Sequence, residues 1–293
     1  MLSNPGHTLI DPKTKKLALK IYSLENDNPF NEIQRLNHYS LIWVKNGSGT
    51  AKVDFNQFEF SENTLFAFSP YQPFLIDTKG WEAEVIYFHP DFFCIHKHQK
   101  EVACDGILFN NVYSEPLVKI NSESFDKLTG LVEQMKNEIQ LDELAQYELL
   151  VSYLKILLIT TSRLKQEQQQ HTEKQALSQE EPFVLERLKD FINKHYKTYR
   201  TASDYADLLA ISPKALAKLT KAHFNKTLTE LISERIIIEA KRELYLTNKS
   251  IKEIAYDLGY EDEYYFSRFF KKNAEVSPQL YRKNVGFDRA SMA

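Results

Sequence analysis

Five cations recur at helical spacing in the last third of the chain, and their common chemistry is to grip a polyanion. Lys214, Lys218 and Lys221 fall at i, i+4 and i+7, with Ala217 among them, so a helix would carry them on one face. Arg268 and Lys271 make a second group, preceded by Glu263, Tyr264 and Ser267. A lysine ammonium is a point charge suited to phosphate, giving affinity and salt dependence but no sequence information. The arginine fork takes a guanine edge or a phosphate bidentately, and a carboxylate such as Glu263 accepts from a cytosine amine. Tyr264 can stack on sugar or touch a thymine methyl, and Ala217 leaves room for close approach. The plain alternative for all of them is a solvated helix surface.

These side chains act together only if helices position them, and the local sequence supplies the signals. Ser250 and Glu253 form a capping box. Ile251, Ile254, Ala255 and Leu258 then make one apolar helical face, and Gly259 ends it. Asp262 is the next N-cap, with Tyr265, Phe266 and Phe269 read as inward and Ser267, Arg268 and Lys271 as outward. Helix, glycine turn and basic helix is a helix-turn-helix layout. The stretch resembles the second helix-turn-helix of the AraC/XylS family of bacterial transcription regulators. Ile254-Ala255, Gly259-Tyr260, Asp262, Tyr265 to Arg268, Phe270 to Lys272, Ser277-Pro278 and Tyr281-Arg282 carry the match. Glu275 departs from it, standing where members usually have glycine.

Upstream, Tyr205, Ala206 and Leu209 are one apolar side, Ser212 is an N-cap and Pro213 a first helical residue. The helix that follows buries Leu216 and Leu219 and presents Lys214, Ala217, Lys218 and Lys221; in the family the matching positions face the major groove or its phosphates. Asn225 again replaces a usual glycine. Leu231, Ile232, Ile236, Ala240 and Leu244 are the inward face of a long helix resembling the family's connecting helix. A scaffold helix opens at Pro182, with Phe183, Leu185, Leu188, Phe191 and Ile192 as its buried side.

The first 120 residues read as short strands rich in β-branched and aromatic residues, punctuated by Gly47-Ser48-Gly49, Pro70, Pro73 and Gly80. The pattern points to a β-barrel or jelly roll and resembles the cupin-like sensor domain of many AraC relatives. Trp43, Tyr71, Phe74, Trp81 and Tyr87 are candidates to line an effector cavity, against the plain reading that they are core. A metal centre needs converging ligands. His38 and His89 are far apart in sequence, and Cys94, His96 and His98, which would alternate on an extended segment, are better read as a polar loop. No metal, cofactor or catalytic residue is expected.

The period then changes to helical. Phe125, Leu128, Val132, Met135 and Ile139 lie on one face, and Tyr147, Leu150, Leu154 and Leu157 on another. The run from Leu149 to Ile159 is apolar nearly all round and too short for a bilayer, so a partner subunit is expected to cover part of it.

The expected fold is therefore α+β. Residues 1–120 form a cupin-like barrel, 121–164 a helical hairpin for dimerisation, 165–181 a linker, 182–283 a double helix-turn-helix domain and 284–293 a tail. Charge follows this division: from Pro182 onward there are 20 Lys/Arg against 15 Asp/Glu, net +5, and before it 17 against 25, net −8. Two cysteines exclude a disulfide framework, and an N-terminus without an apolar segment reads as cytoplasmic. The resemblance implies a non-enzymatic, sequence-specific regulator, more often an activator. Its partners would be double-stranded DNA over two successive major-groove segments, a small-molecule effector, a second copy of the chain and RNA polymerase. The alternatives are a cupin-type metalloenzyme with a DNA-binding appendage, and a regulator whose N-terminal domain is purely structural.

Overall fold

The computed structural model of the chain describes residues 6–54, 56–98, 106–176 and 181–285. It divides into two compact units, one of residues up to 111 with 115–168, the other of 112–114 with the residues from 169 on.

The first unit is an antiparallel sheet followed by two helices. Its strands are β1 (His7–Ile10), β2 (Leu17–Glu25), β3 (Tyr39–Val53), β4 (Asn56–Phe60), β5 (Thr64–Phe68), β6 (Phe74–Phe88) and β7 (Leu117–Lys119). They run in the order β1-β2-β6-β3-β5-β7, with β4 also on β3. The helices are α1 (Ser122–Gln140) and α2 (Gln146–Ala176). β1 and β7 have too little pattern of their own to be seen in the sequence.

Two strands are longer than their sequence signals. The segments either side of Gly47-Ser48-Gly49 form the single strand β3, and those either side of Gly80 form β6; the two pair from Tyr39↔Phe88 to Val53↔Phe74. What reads as a turn at Gly47–Gly49 is a bulged bend, with register shifts between Val44 and Asn46 and between Gly47 and Gly49. A Cβ on Gly49 would lie 2.1 Å from the Asp77 carbonyl oxygen, so glycine here serves close strand approach. The bend lets β3 pair with β5 over residues 40–44 and with β4 over 49–53.

Alternation along β3 sends its residues to two cores. Ile42 and Val44 join an aromatic cluster with Phe30, Phe60, Phe66, Phe68 and Phe74. Leu41 and Trp43 join the other, which packs against Leu128, Val132 and Met135 of α1 and Leu150, Leu154 and Leu157 of α2. On that side Glu84 is buried and accepts from Lys136 Nζ at 3.0 Å and Lys45 Nζ at 3.3 Å. α2 does not end at Leu164: it continues to Ala176, and Lys165, read as the first residue of a linker, is buried within it.

The second unit is helical: α3 (Glu181–His195), α4 (Ala202–Leu209), α5 (Pro213–Phe224), α6 (Leu228–Leu246), α7 (Ile251–Asp257), α8 (Glu263–Ala274) and α9 (Pro278–Val285). The inward faces read for α4 and α6 are buried. Several residues lie differently from the expected faces. Phe183 is 61% exposed, its ring 5.6 Å from the Arg187 guanidinium, while Leu185, Leu188 and Ile192 form the buried side of α3. In α8, Tyr265 is 58% exposed and Phe269 only half-buried; the buried line is Phe266, Phe270 and Ala274, at i, i+4 and i+8. The aromatic run 264–266 offers two alternative helical faces, and packing selects the second. Asn284 and Val285 belong to α9, with Val285 buried, and residues 286–293 of the expected tail lie outside the described residues.

Candidate nucleic-acid interface

Capping boxes set where several of these helices begin. Thr201 with Asp204, Thr227 with Glu230 and Ser250 with Glu253 each exchange side-chain and backbone hydrogen bonds across the first turns of α4, α6 and α7. The bonds hold the three carboxylates below their ordinary range: Glu253 chiefly through the Ser250 amide, Glu230 through the Thr227 amide, and Asp204 chiefly through the Thr201 side chain. The two candidate reading helices are capped by Ser212, with Pro213 next, and by Asp262. The Ser250 box, Ser212 and Asp262 are caps read from the sequence above; the Thr201 and Thr227 boxes add two more of the same pattern.

On α5, Leu216 and Thr220 are buried, Leu219, read as buried, is only half-buried, and Lys214, Ala217, Lys218 and Lys221 are all exposed on the other side. Lys221 Nζ donates to the Asn225 carbonyl at 3.2 Å, a cation on the orphan acceptors of a helix end. On α8, Tyr264 is 75% exposed, Arg268 and Lys271 are exposed, and Glu263 and Ser267 are half-buried. Each helix therefore presents its named cations on the face opposite its buried line. Lys214, Lys218, Arg268 and Lys271 are bound to no carboxylate among the described residues.

The two helices also end alike. Asn225 closes α5 at φ 52° and Glu275 closes α8 at φ 59°, both left-handed. Glu275 thus keeps the turn that glycine would make and does not redirect it. The cost is a side chain in a region it disfavours and a negative charge at a helix C-terminus. Glu275→Gly is expected to raise the stability of the helical unit by about 0.5–1 kcal/mol, seen as a higher urea midpoint by far-UV circular dichroism. A lower midpoint would show that the carboxylate makes an offsetting contact.

The proposed effector-lining residues of the first unit do not share one space. Phe74, Trp81 and Tyr87 belong to the aromatic cluster, whereas Trp43 lies in the other core with Phe125, ring centroids 5.1 Å apart. Tyr71 is buried outside both, at φ 57°. The cluster is filled by its own rings: Phe74 stacks on Phe68, and Phe30 packs against both Phe74 and Trp81.

At one edge of the cluster the chain assembles a polar group that the sequence reading missed. His38 and His89, distant in sequence, are 5.5 Å apart by ring centroid; His38 also stacks on Tyr87, whose hydroxyl accepts from Tyr22 at 3.0 Å. Burial, reinforced by His89, lowers His38 to about 4, so it is neutral near pH 7. Burial raises Tyr22 to about 12. Cys94, His96 and His98 sit in a turn and not on an extended segment, with His98 stacked on Phe93. Among the described residues no group of three His, Cys, Asp or Glu is placed to hold a metal ion.

Comparison with known proteins places the helical unit. Residues 205–284 match the model of a helix-turn-helix domain family. The C-terminal domain of AraT, a response regulator from Geobacillus stearothermophilus, is 31% identical over 37% of this chain and 87% of that one, with a TM-score of 0.34. The helical unit carries a helix-turn-helix domain of AraC type. Two further regulatory proteins are similar, one over this domain and one over most of the chain. The raffinose operon transcriptional regulatory protein RafR of Pediococcus pentosaceus is 33% identical over 96 residues, 33% of this chain and 35% of that protein. The match thus spans about a third of that relative's length. The uncharacterized regulator YisR of Bacillus subtilis is 26% identical over 84% of this chain and 86% of its own. No helix among the described residues is long and apolar enough to cross a membrane.

Proposed function

We propose that this chain is a transcription regulator of the AraC family that reads two successive major-groove segments with α5 and α8. The observation that carries the reading is the pair of capped helices, each burying one face and offering an exposed basic face. Lys214, Lys218, Lys221 and Lys271 serve phosphates, Arg268 serves a base edge, and Ala217, Glu263, Tyr264 and Ser267 border the contact. Footprinting on DNA upstream of its own and neighbouring genes tests it. Two protected segments one helical turn apart are expected, whereas salt-sensitive binding without sequence preference would overturn it.

Two substitutions divide affinity from specificity. Arg268→Ala is expected to weaken binding by about 1–3 kcal/mol and relax one base preference, measured by titration against a panel of point-altered sites. Equal loss on every site would make Arg268 a phosphate contact. Lys218→Ala is expected to lower the slope of log K against log salt by about one; an unchanged slope would remove it from the interface.

In this reading the first unit adjusts DNA occupancy by binding a small molecule at the aromatic cluster and its Tyr22, His38 and Tyr87 edge. The helix α2 supplies a contact to a second copy, since Leu149 and Ile156 remain 39% and 45% exposed on it. Sedimentation of the full chain over a concentration series tests the dimer. The close packing of the cluster favours a second reading, an N-terminal unit that only supports the first function. Thermal-shift screening of the full chain separates the two, because only a ligand-binding unit gains stability by mass action.

A further inference from the structure

The two helix-turn-helix segments are joined by α6, but the structure also brings them together at their turns. Gly259, in the turn between α7 and α8, lies so close to the segment after α3 that an added Cβ would stand 2.0 Å from the Lys197 carbonyl oxygen. Arg200, three residues on, reaches the same turn. Its Nη2 donates to the Leu258 carbonyl at 2.6 Å, and its guanidinium lies 4.7 Å from the centre of the Tyr260 ring. Leu258 is the C-cap of α7, so the cation sits on a carbonyl that the helix itself leaves without a partner.

Both ends of Arg200 are fixed. Its backbone amide donates to Asp204 Oδ2 at 3.2 Å, the carboxylate that also caps α4. The Tyr260 ring that it covers packs on Phe266 and Phe269 of α8, at 5.3 and 5.4 Å between centroids. The neighbouring Tyr196 is held to α6 by Arg235, 4.5 Å from its ring. A continuous path of contacts therefore runs from the first turn of α4 through one side chain to the body of α8.

We propose that Arg200 is a positioning residue for DNA reading, a second joint beside α6 that offers α5 and α8 to the duplex at one spacing and one rotation. The proposal rests on the reading that both helices contact DNA. A single connecting helix leaves its two ends free to twist relative to each other, whereas two joints remove that freedom before binding. The second segment is then met at high effective concentration only when the site has the matching geometry. One inserted base pair moves that segment by about 3.4 Å and turns it by about 35°, which a body tied at two points cannot follow. Arginine suits the joint because its planar fork makes the carbonyl bond and the ring contact together, which a lysine ammonium cannot.

The test uses the full chain and duplexes selected from a random pool, altered by adding or removing one or two base pairs between the two protected segments. The native chain is expected to lose about tenfold or more in affinity for each altered spacing. Arg200→Ala should bind the native spacing about three- to tenfold more weakly and lose less than about threefold when the spacing changes; Arg200→Lys should fall between. If circular dichroism shows Arg200→Ala unfolded, Arg200→Lys, which keeps the stem and charge, decides. A spacing profile as steep as the native one in the folded variants would overturn the clamp. Arg268→Ala and Lys218→Ala in the native background distinguish the failures. If neither weakens binding to the selected duplex, the two-helix reading falls and takes the clamp with it. If both weaken it while the Arg200 variants keep the native profile, only the clamp fails.

Discussion

Gly259→Ala is expected to lower the stability of the helical unit by about 2–4 kcal/mol and to abolish specific DNA binding. Its left-handed backbone, φ 79°, is not the main reason, because Ala210 holds φ 55° in the corresponding turn of the first helix-turn-helix. The larger reason is the new methyl, which would overlap the Lys197 carbonyl oxygen at 2.0 Å. That neighbour is backbone, held in a segment that Arg200 and Tyr196 tie down on either side. The overlap is relieved only by moving the turn away, which breaks the Arg200 bond to Leu258 and tilts α8. Far-UV circular dichroism in urea measures the loss. A variant with native midpoint and native binding would show that the turn yields freely.

Lys165→Met is expected to do the reverse for the first unit, raising its stability by about 1–3 kcal/mol below pH 7. Burial pushes the Lys165 amine down to about 7 from an ordinary 10.5, and its described bond is to the Glu115 carbonyl at 2.6 Å. Between about pH 10.5 and 7 the unfolded chain takes up this proton and the folded chain does not, so stability falls as pH is lowered through that window. Below about 7 both states carry it, and the full penalty stands, at most about 4–5 kcal/mol. Methionine fills the same space without the charge but leaves the Glu115 carbonyl without its donor, which returns about 1–3 kcal/mol. Both tryptophans, Trp43 and Trp81, belong to this unit, so fluorescence-monitored urea unfolding at pH 6.5 and 9 follows it alone. The gain should shrink at the higher pH. A loss at pH 6.5 would mean that the charged amine is well solvated or paired where it lies.

The sequence by itself determined the parts of this protein that rest on local chemistry. Ser250 with Glu253, Ser212 before Pro213, and Asp262 state where helices begin, because a cap needs only side chains within one turn of the amides they satisfy. Apolar spacing likewise identifies the buried faces of α4 and α6, and by exclusion the cationic faces of α5 and α8. The tertiary structure decided what depends on distant partners. Whether a glycine ends a strand or bends it depends on what lies opposite: at Gly49 that is Asp77, so β3 continues. Trp43 looks like Trp81 as a candidate until the pleat sends it to the other core. His38 and His89 meet because β6 returns beside β3, and Tyr265 stays exposed because α8 packs along the line of Phe266, Phe270 and Ala274. Arg200 carries no motif at all. Its role comes from a carbonyl 58 residues away, which nothing in its neighbourhood along the chain can indicate.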